Sequence, residues 1–415
     1  MDAPARQDRL RGHNLALALQ VVSDGPGPVS RAGIATRTGL TRATASTLAD
    51  ALLVAGLVRE VPLPPTARSG RPATGIELSP DGPVGLGLAV HVDHLAVVVV
   101  GLDGAVRARE VVPGDQRGTR PRDVLHVAAA VAGRLVERVG LEVCGATVAV
   151  PGLVDPDGRR LLRAPNLGWG DVPVLALLAA EPALAGLPLR LDNEADLAAL
   201  AEMRFCLGDV VYLSGEVGIG AGVVLGGRLH RGGRGWSGEI GHLTVDRRGP
   251  VCSCGARGCL EQYAGQEAVL RRAGLATAVA PGQGDDPAVR RLVELAGEGR
   301  PRVLRALDGA GQALGVVLAG VVNLLDLDEV VLGGTLALLA PWLVPPIEAQ
   351  LADHVLWSAL QLPVVRAARS GPDAVVTGAA LSALDVVRSD PAGWAAGERL
   401  RRPGPIRSGP VTGGP

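Results

Sequence analysis

The sequence predicts an α/β protein with a winged helix-turn-helix at its N-terminus and a body of two α/β lobes. Three observations carry this. Residues 1–75 hold nine Arg against five acidic residues, a charge of +4, while the rest holds 32 Arg against 37 acids, a charge of -5. A basic head on an acidic body is the pattern of a nucleic-acid-binding module joined to something else. Beyond residue 80, strand-sized apolar runs alternate with helical stretches and end in glycine-rich or polar motifs. That alternation points to a layered α/β architecture with its cleft at the strand ends. Finally, residues 238–261 gather a histidine and three of the five cysteines.

The 415 residues suit two or three domains, and a composition 47% hydrophobic supplies a sizeable core. Residues 1–20 contain no apolar run behind positive charge, so no signal peptide is expected. No uncharged apolar stretch of about 18 residues predicts a membrane span. The expected location is the cytoplasm. An odd number of cysteines argues against a disulfide framework, and Cys144 and Cys206 read as buried, inert side chains. All 41 basic residues are arginine, which together with 58 glycines and 31 prolines reads as a coding bias.

In the head, the apolar segment 15–22 predicts a first helix, ended by Asp24-Gly25-Pro26-Gly27. Ser30 is placed to cap a second helix over 31–38. Gly39-Leu40 makes a tight turn, and Thr41 caps a third helix running to about residue 55. Its apolar positions Ala45, Leu48, Ala49 and Leu52 follow the helical spacing. Arg42, Thr44 and Ser46 then lie on its first turns, where a recognition helix meets DNA. Two strand-sized pieces follow around a loop over 62–75, whose Arg68-Ser69-Gly70-Arg71-Pro72 forms a basic wing tip suited to a minor groove. Arg71 is the expected wing contact.

In the body, 84–100 reads as a strand ending in a hairpin turn at Leu102-Asp103-Gly104, with a return strand over 106–112. A helix over 122–139, strands over 146–150, 189–191 and 210–213, and a last strand into Gly333-Gly334 complete the alternation. From about residue 390 the chain is rich in Pro, Gly and Arg, so 391–415 is expected to be a disordered tail.

Within 238–261, Gly-Glu-Ile-Gly-His is followed after nine residues by Cys-Ser-Cys-Gly-Ala-Arg-Gly-Cys-Leu-Glu. His242, Cys252, Cys254 and Cys259 form a Cys₃His set, the ligand type of a tetrahedral structural Zn²⁺ site. Glu239 and Glu261 flank this knuckle. Carboxylates held together accept hydroxyl hydrogen bonds and suit a polyol such as a sugar.

These pieces together are similar to the ROK family (repressor, open reading frame, kinase), and to its transcriptional regulators in particular. The resemblance is carried by the head with Ser-Gly-Arg-Pro in its wing, Ala-Val-Pro-Gly-Leu-Val-Asp-Pro at 149–156, Ala-Pro-Asn-Leu-Gly-Trp at 164–169, and the knuckle. It implies an actin-like, two-lobed sugar-kinase body over 81–192 and 193–390 behind a DNA-binding domain over 1–80. It further implies a sugar in the cleft touching Asn193, Glu194, Glu239, His242 and Glu261, with His242 also on the zinc. A homodimer or homotetramer on an inverted-repeat operator in double-stranded DNA is the implied assembly, with no membrane partner.

The departures from the family's kinases are informative. Their first phosphate loop carries an aspartate and two glycines where this chain has Ala89, His91 and Val92. Their second loop has a threonine-containing run where this chain has Glu216, whose charge opposes a phosphate. Their catalytic aspartate is here Glu194, one methylene longer. His91 and His94 read as strand or turn residues standing in for lost phosphate contacts. No kinase activity is expected. A sugar-responsive transcription factor, most often a repressor, is the preferred function. The alternatives are a sugar kinase with a DNA-binding head and a DNA-binding protein whose body only dimerises.

Overall fold

The structure, a computed structural model, describes residues 3–63, 74–206, 208–215, 218–275 and 286–397. In the head, α1 (Ala3–Ser23) leads through β1 (Val29–Ser30) into α2 (Arg31–Thr38) and α3 (Arg42–Val54). Both expected caps form: Ser30 Oγ accepts from Gly33 N at 3.0 Å and Thr41 Oγ1 from Thr44 N at 3.2 Å. Gly39, at φ 72°, supplies the left-handed turn between the two helices. Ala45, Leu48, Ala49 and Leu52 are buried, so α3 turns its other face outward. The wing strands β2 (Val58–Pro62) and β3 (Thr74–Leu78) pair antiparallel. Arg31 ties α2 to α3 through Asp50 and to β2 through Glu60, each at 2.6 Å. Arg68 and Arg71 lie outside the described residues.

The first lobe is a five-stranded sheet of order β11-β7-β4-β5-β6. Its strands are β4 (Val84–Val90), β5 (His94–Gly101), β6 (Val106–Pro113), β7 (Val143–Val150) and, after three further short strands, β11 (Leu189–Asn193). Those three form a small antiparallel sheet: β8 (Leu153–Val154), β9 (Leu161–Ala164) and β10 (Trp169–Val172). The run 84–100, expected as one strand, is in fact two, β4 and β5, paired antiparallel about a turn at 91–93. Both are buried on both faces and carry no polar alternation, so only the polar His91, Asp93 and His94 mark the break between them. Helix α4 (Pro121–Val139) covers one face, and the short α5 (Val174–Ala179) packs against it.

From the end of β11 the chain enters α6 (Glu194–Glu202) and crosses to the second lobe. Its sheet has order β14-β13-β12-β15-β16, from β12 (Val210–Gly215), β13 (Ile219–Leu225), β14 (Arg228–Leu229), β15 (Glu329–Gly334) and β16 (Val364–Ala367). The knuckle precedes α7 (Glu261–Ala264) and α8 (Gln266–Ala273), and then come α9 (Pro287–Gly297), α10 (Pro301–Leu325) and α11 (Thr335–His354). Helix α10 is long and apolar enough to cross a membrane, yet its most apolar window is 56% buried in the protein's own core, chiefly against α11.

Helix α12 (Ala374–Ser389) joins the lobes, lying on β4 and β7 and along α6. Gly378 makes this approach possible, because any Cβ there would collide with the carbonyl oxygen of Leu197 in α6. The disordered tail expected from residue 391 does not begin there. Asp390 Oδ1 accepts from Gly393 N at 2.9 Å and starts α13 (Pro391–Ala395), which packs on α1, α3 and α12. An Asp cap with Pro at the first helical position, and apolar Ala392 and Trp394 against the head, outweigh the local composition. Residues 398–415 lie outside the described residues.

A buried ion cluster locks α6 to the second sheet. Glu202, 1% exposed, takes Arg366 Nη1 at 2.6 Å and the N–H groups of Arg369 and Ser370, while Arg366 Nε reaches Glu329 at 2.8 Å. Burial works to raise the Glu202 pKa, but Arg366 and the two N–H groups outweigh it and hold it below 4.5. The sign follows: the stabilisation is present above the ordinary carboxylate range and is lost as pH falls through the depressed value. Glu202→Ala leaves Arg366 with one carboxylate and two N–H groups without partners, and is expected to cost about 3–5 kcal/mol. Urea unfolding of variant and wild type at neutral pH checks this, and the difference should shrink below about pH 4.

Candidate functional site

The knuckle grows from a 3₁₀ turn at Ile240–His242 and two short backbone bridges, Thr244 with Cys259 and Val251 with Arg257. Gly258, at φ 68°, passes so close to Asp246 that a Cβ would strike its carbonyl oxygen. The ligand atoms of His242, Cys252, Cys254 and Cys259 all lie within 4.8 Å of one another. Cys254 Sγ is 3.7 Å from Cys259 Sγ, and Cys252 Sγ is 3.8 Å from His242 Nδ1. These separations match the edges of a tetrahedron with metal–sulfur bonds of about 2.3 Å. Burial raises the Cys259 thiol to about 12, with the neighbouring thiols adding to it. Burial also works against ionising Cys252, but hydrogen bonds from the Cys254 backbone and from His242 bring it down to about 7. The four side chains can hold a metal ion.

With Nδ1 turned to the sulfurs, His242 Nε2 faces the other way, 4.0 Å from Glu239 Oε2. Glu239 and Glu261 are each raised in pKa, first by burial; His242 opposes this in both, and Glu261 adds to it for Glu239. The Ile219 N–H donates to Glu261, and a Cβ on Gly218 would sit 2.5 Å from Glu261 Oε2 and 3.0 Å from Asn166 Nδ2. The structure therefore brings together Glu239, His242 and Glu261, with Asn166 beside them.

The ROK family matches residues 85–386, nearly three quarters of the chain, and the MarR family matches residues 16–69. The chain belongs to the ROK family. It is 28% identical over 338 residues to a xylose repressor of Caldicellulosiruptor bescii, covering 78% of this chain and 83% of that one. It is also 38% identical over 267 residues to a kanosamine kinase of Amycolatopsis mediterranei, covering 63% of this chain and 84% of that one. A solved ROK family transcriptional regulator, a homologue of the E. coli Mlc protein, has the same fold, with a TM-score of 0.75 at 24% identity, covering 94% of this chain and 99% of that one.

Against the ROK pattern, Asn193 sits at the N-cap of α6. Its Oδ1 accepts from Ala195 N at 2.7 Å and its Nδ2 donates to Gly152 O at 3.0 Å, so its amide fixes the start of α6 against the first lobe. Glu194 opens α6 and is half-buried. One turn on, buried Asp196 shares Arg231 with Asp192: Arg231 holds Asp192 by two 2.6 Å bonds and Asp196 at 3.2 Å. Burial and Asp192 raise the Asp196 pKa to about 7. This clamp spans the two lobes beside Glu239, as does the bond from Trp236 Nε1 to Val154 O at 2.7 Å. Sequence reasoning missed the clamp and Asn166. The signal for Asp196 was its place one turn from Asn193 in Asp-Asn-Glu-Ala-Asp, and Asn166 lay in a motif already singled out.

The turn at the ROK kinases' first phosphate loop is filled. His91 and His94 are buried and stack with ring centroids 4.2 Å apart, and His94 Nδ1 lies 2.7 Å from Asp93 Oδ1. The segment after β6 closes over it, with Gln116 N donating to Val92 O at 2.7 Å. Glu216 lies outside the described residues. Gly333 packs beneath the Tyr212 hydroxyl, which a Cβ at that position would strike. On the head, Arg42 is exposed, Ser46 is half-buried, and Thr44 Oγ1 shares a 2.8 Å hydrogen bond with Thr41 Oγ1.

Proposed function

We propose that this ROK protein is a sugar-responsive, DNA-binding transcriptional repressor and not an enzyme. The observation that carries the reading is a contrast around one cleft. Hydroxyl-binding groups Glu239, His242 and Glu261 converge there, while the turn that cradles phosphates in the family's kinases holds two stacked, buried imidazoles. Backbone N–H groups can approach a phosphate only where side chains leave room, and His91 and Val92 do not.

In this reading zinc occupies the Cys₃His knuckle and is structural: four protein ligands leave it no open position. It holds His242 so that Nε2 and the flanking Glu239 and Glu261 meet a sugar, with Asn193 and Glu194 at the head of α6 completing the site. The protein acts in the cytoplasm as a homodimer or homotetramer on an inverted repeat, because a two-fold pair of heads presents two equal α3 helices. Sugar closes the cleft and shifts the population of lobe arrangements. The shift has a physical route to the head: α6 lies along α12, α12 runs into α13, and α13 touches α1 and α3.

The competing function is a sugar kinase with a DNA-binding head, favoured by the identity to the kanosamine kinase. A coupled ADP-release assay across monosaccharides and amino sugars decides between them. Background rates are expected throughout. Sugar-dependent ADP formation that Glu194→Ala abolishes would establish the kinase instead.

On the DNA side, Arg42→Ala, Thr44→Ala and Ser46→Ala are expected to change base preference at defined operator positions, each by about 1–3 kcal/mol where the side chain reads a base. Arg71→Ala is expected to weaken binding to all sequences and to lower the salt slope. Binding-site selection with each variant checks both, and an unchanged preference in all three α3 variants would remove α3 as the reading helix.

A further inference from the structure

Beside the cleft lies a cavity of about 170 Å³ that shares Glu261 as a wall and contains neither Glu239 nor His242. Arg117 and Asn166 line it from the first lobe, and Gln262, Glu267 and Arg271 from α7 and α8 of the second. This space far exceeds the about 10–15 Å³ that is needed to admit one water. We propose that it is a second sugar subsite, so that the effector is a neutral disaccharide whose first ring is held by Glu239, His242 and Glu261 and whose second ring fills this cavity. The proposal rests on the sugar-sensing reading above and narrows its ligand.

Charge disfavours the simplest rival, a phosphorylated monosaccharide. Arg117 is already bound by Asp115, its Nε at 2.9 Å from Oδ1 and its Nη2 at 2.9 Å from Oδ2. The cavity wall carries two guanidinium groups and two carboxylates, Glu261 and Glu267, and Asp115 pairs with Arg117 from outside it. A site for a dianion needs a net positive wall. Donors from arginine and amide interleaved with carboxylate acceptors instead suit hydroxyls, each of which both donates and accepts. Glu261 can serve both rings, since its two oxygens offer about four acceptor positions and the Ile219 N–H takes one. Because the walls come from both lobes, a second ring also adds to the free energy of closing the cleft.

Isothermal titration of the full-length protein with glucose, xylose, maltose, cellobiose, xylobiose and glucose 6-phosphate tests this. One disaccharide is expected to bind at least tenfold tighter than its own monosaccharide. Arg271→Ala, at an exposed position outside the core, should erase that margin and leave the monosaccharide Kd within about twofold; Arg117→Ala should do the same independently. Monosaccharides binding as tightly as every disaccharide would overturn the subsite and leave sugar sensing intact. So would variants that weaken both ligands alike. Glucose 6-phosphate binding tightest, with loss in Arg271→Ala, would replace it with an anion site. No binding by any of the six would remove the sugar-sensing reading and the subsite together.

Discussion

Cys254→Ser is expected to release the metal and, with it, at least 100-fold of sugar affinity. In wild type, metal analysis after dialysis should give about one zinc per chain, the stoichiometry of a four-ligand site. The effect is large because structural zinc contributes on the order of 10 kcal/mol or more in small zinc domains. The knuckle has little else to hold it: its backbone contacts are two isolated bridges and a few turns. Losing the metal frees the His242 imidazole and the loop that leads into Glu261 at the start of α7. The lobe sheets do not depend on it, so far-UV circular dichroism should be retained. A zinc-free variant with full sugar affinity would separate the metal from sensing.

Glu239→Gln and Glu261→Gln are expected to lower sugar affinity by about 10- to 100-fold, because a charge-assisted acceptor contributes more than a neutral one, about 1.5–3 kcal/mol. Operator affinity without sugar should stay within about threefold of wild type, since both residues lie in the second lobe, away from the head. If the carboxylates chiefly support the knuckle, zinc content and melting temperature would fall with sugar affinity. Measuring all three on one preparation distinguishes the roles, and wild-type sugar binding in either variant removes that residue from the cleft.

What could be read from the chain alone was what local chemistry determines. Ser30 and Thr41 cap their helices because a side-chain oxygen reaches an N–H three residues on, whatever the rest of the fold does. The Cys₃His cluster was legible because its four side chains fall within eighteen residues, close enough in the chain for short turns to bring them together. The break in 84–100 was marked only by the polar His91, Asp93 and His94, because the two strands on either side are buried on both faces and carry no polar alternation. Helix α13 was hidden by its composition, and what holds it, the apolar face of α1, is more than 350 residues away in sequence. The clamp of Asp192 and Asp196 was equally hidden. Its Arg231 lies 35 or more residues downstream, and nothing local marks one arginine among 41 as the partner. Long-range pairing of this kind is a property of the packed lobes.

The deciding experiment is operator affinity with and without sugar. An operator selected from random duplexes with the full-length protein should be an inverted repeat. Fluorescence anisotropy on that duplex, at fixed salt, should then show at least a tenfold change in Kd on saturation with the sugar that binds in titration, and Glu261→Gln should need correspondingly more sugar for the same change. An operator Kd that the bound sugar leaves unaltered would contradict sugar-responsive regulation, because a ligand with equal affinity for both lobe arrangements shifts nothing.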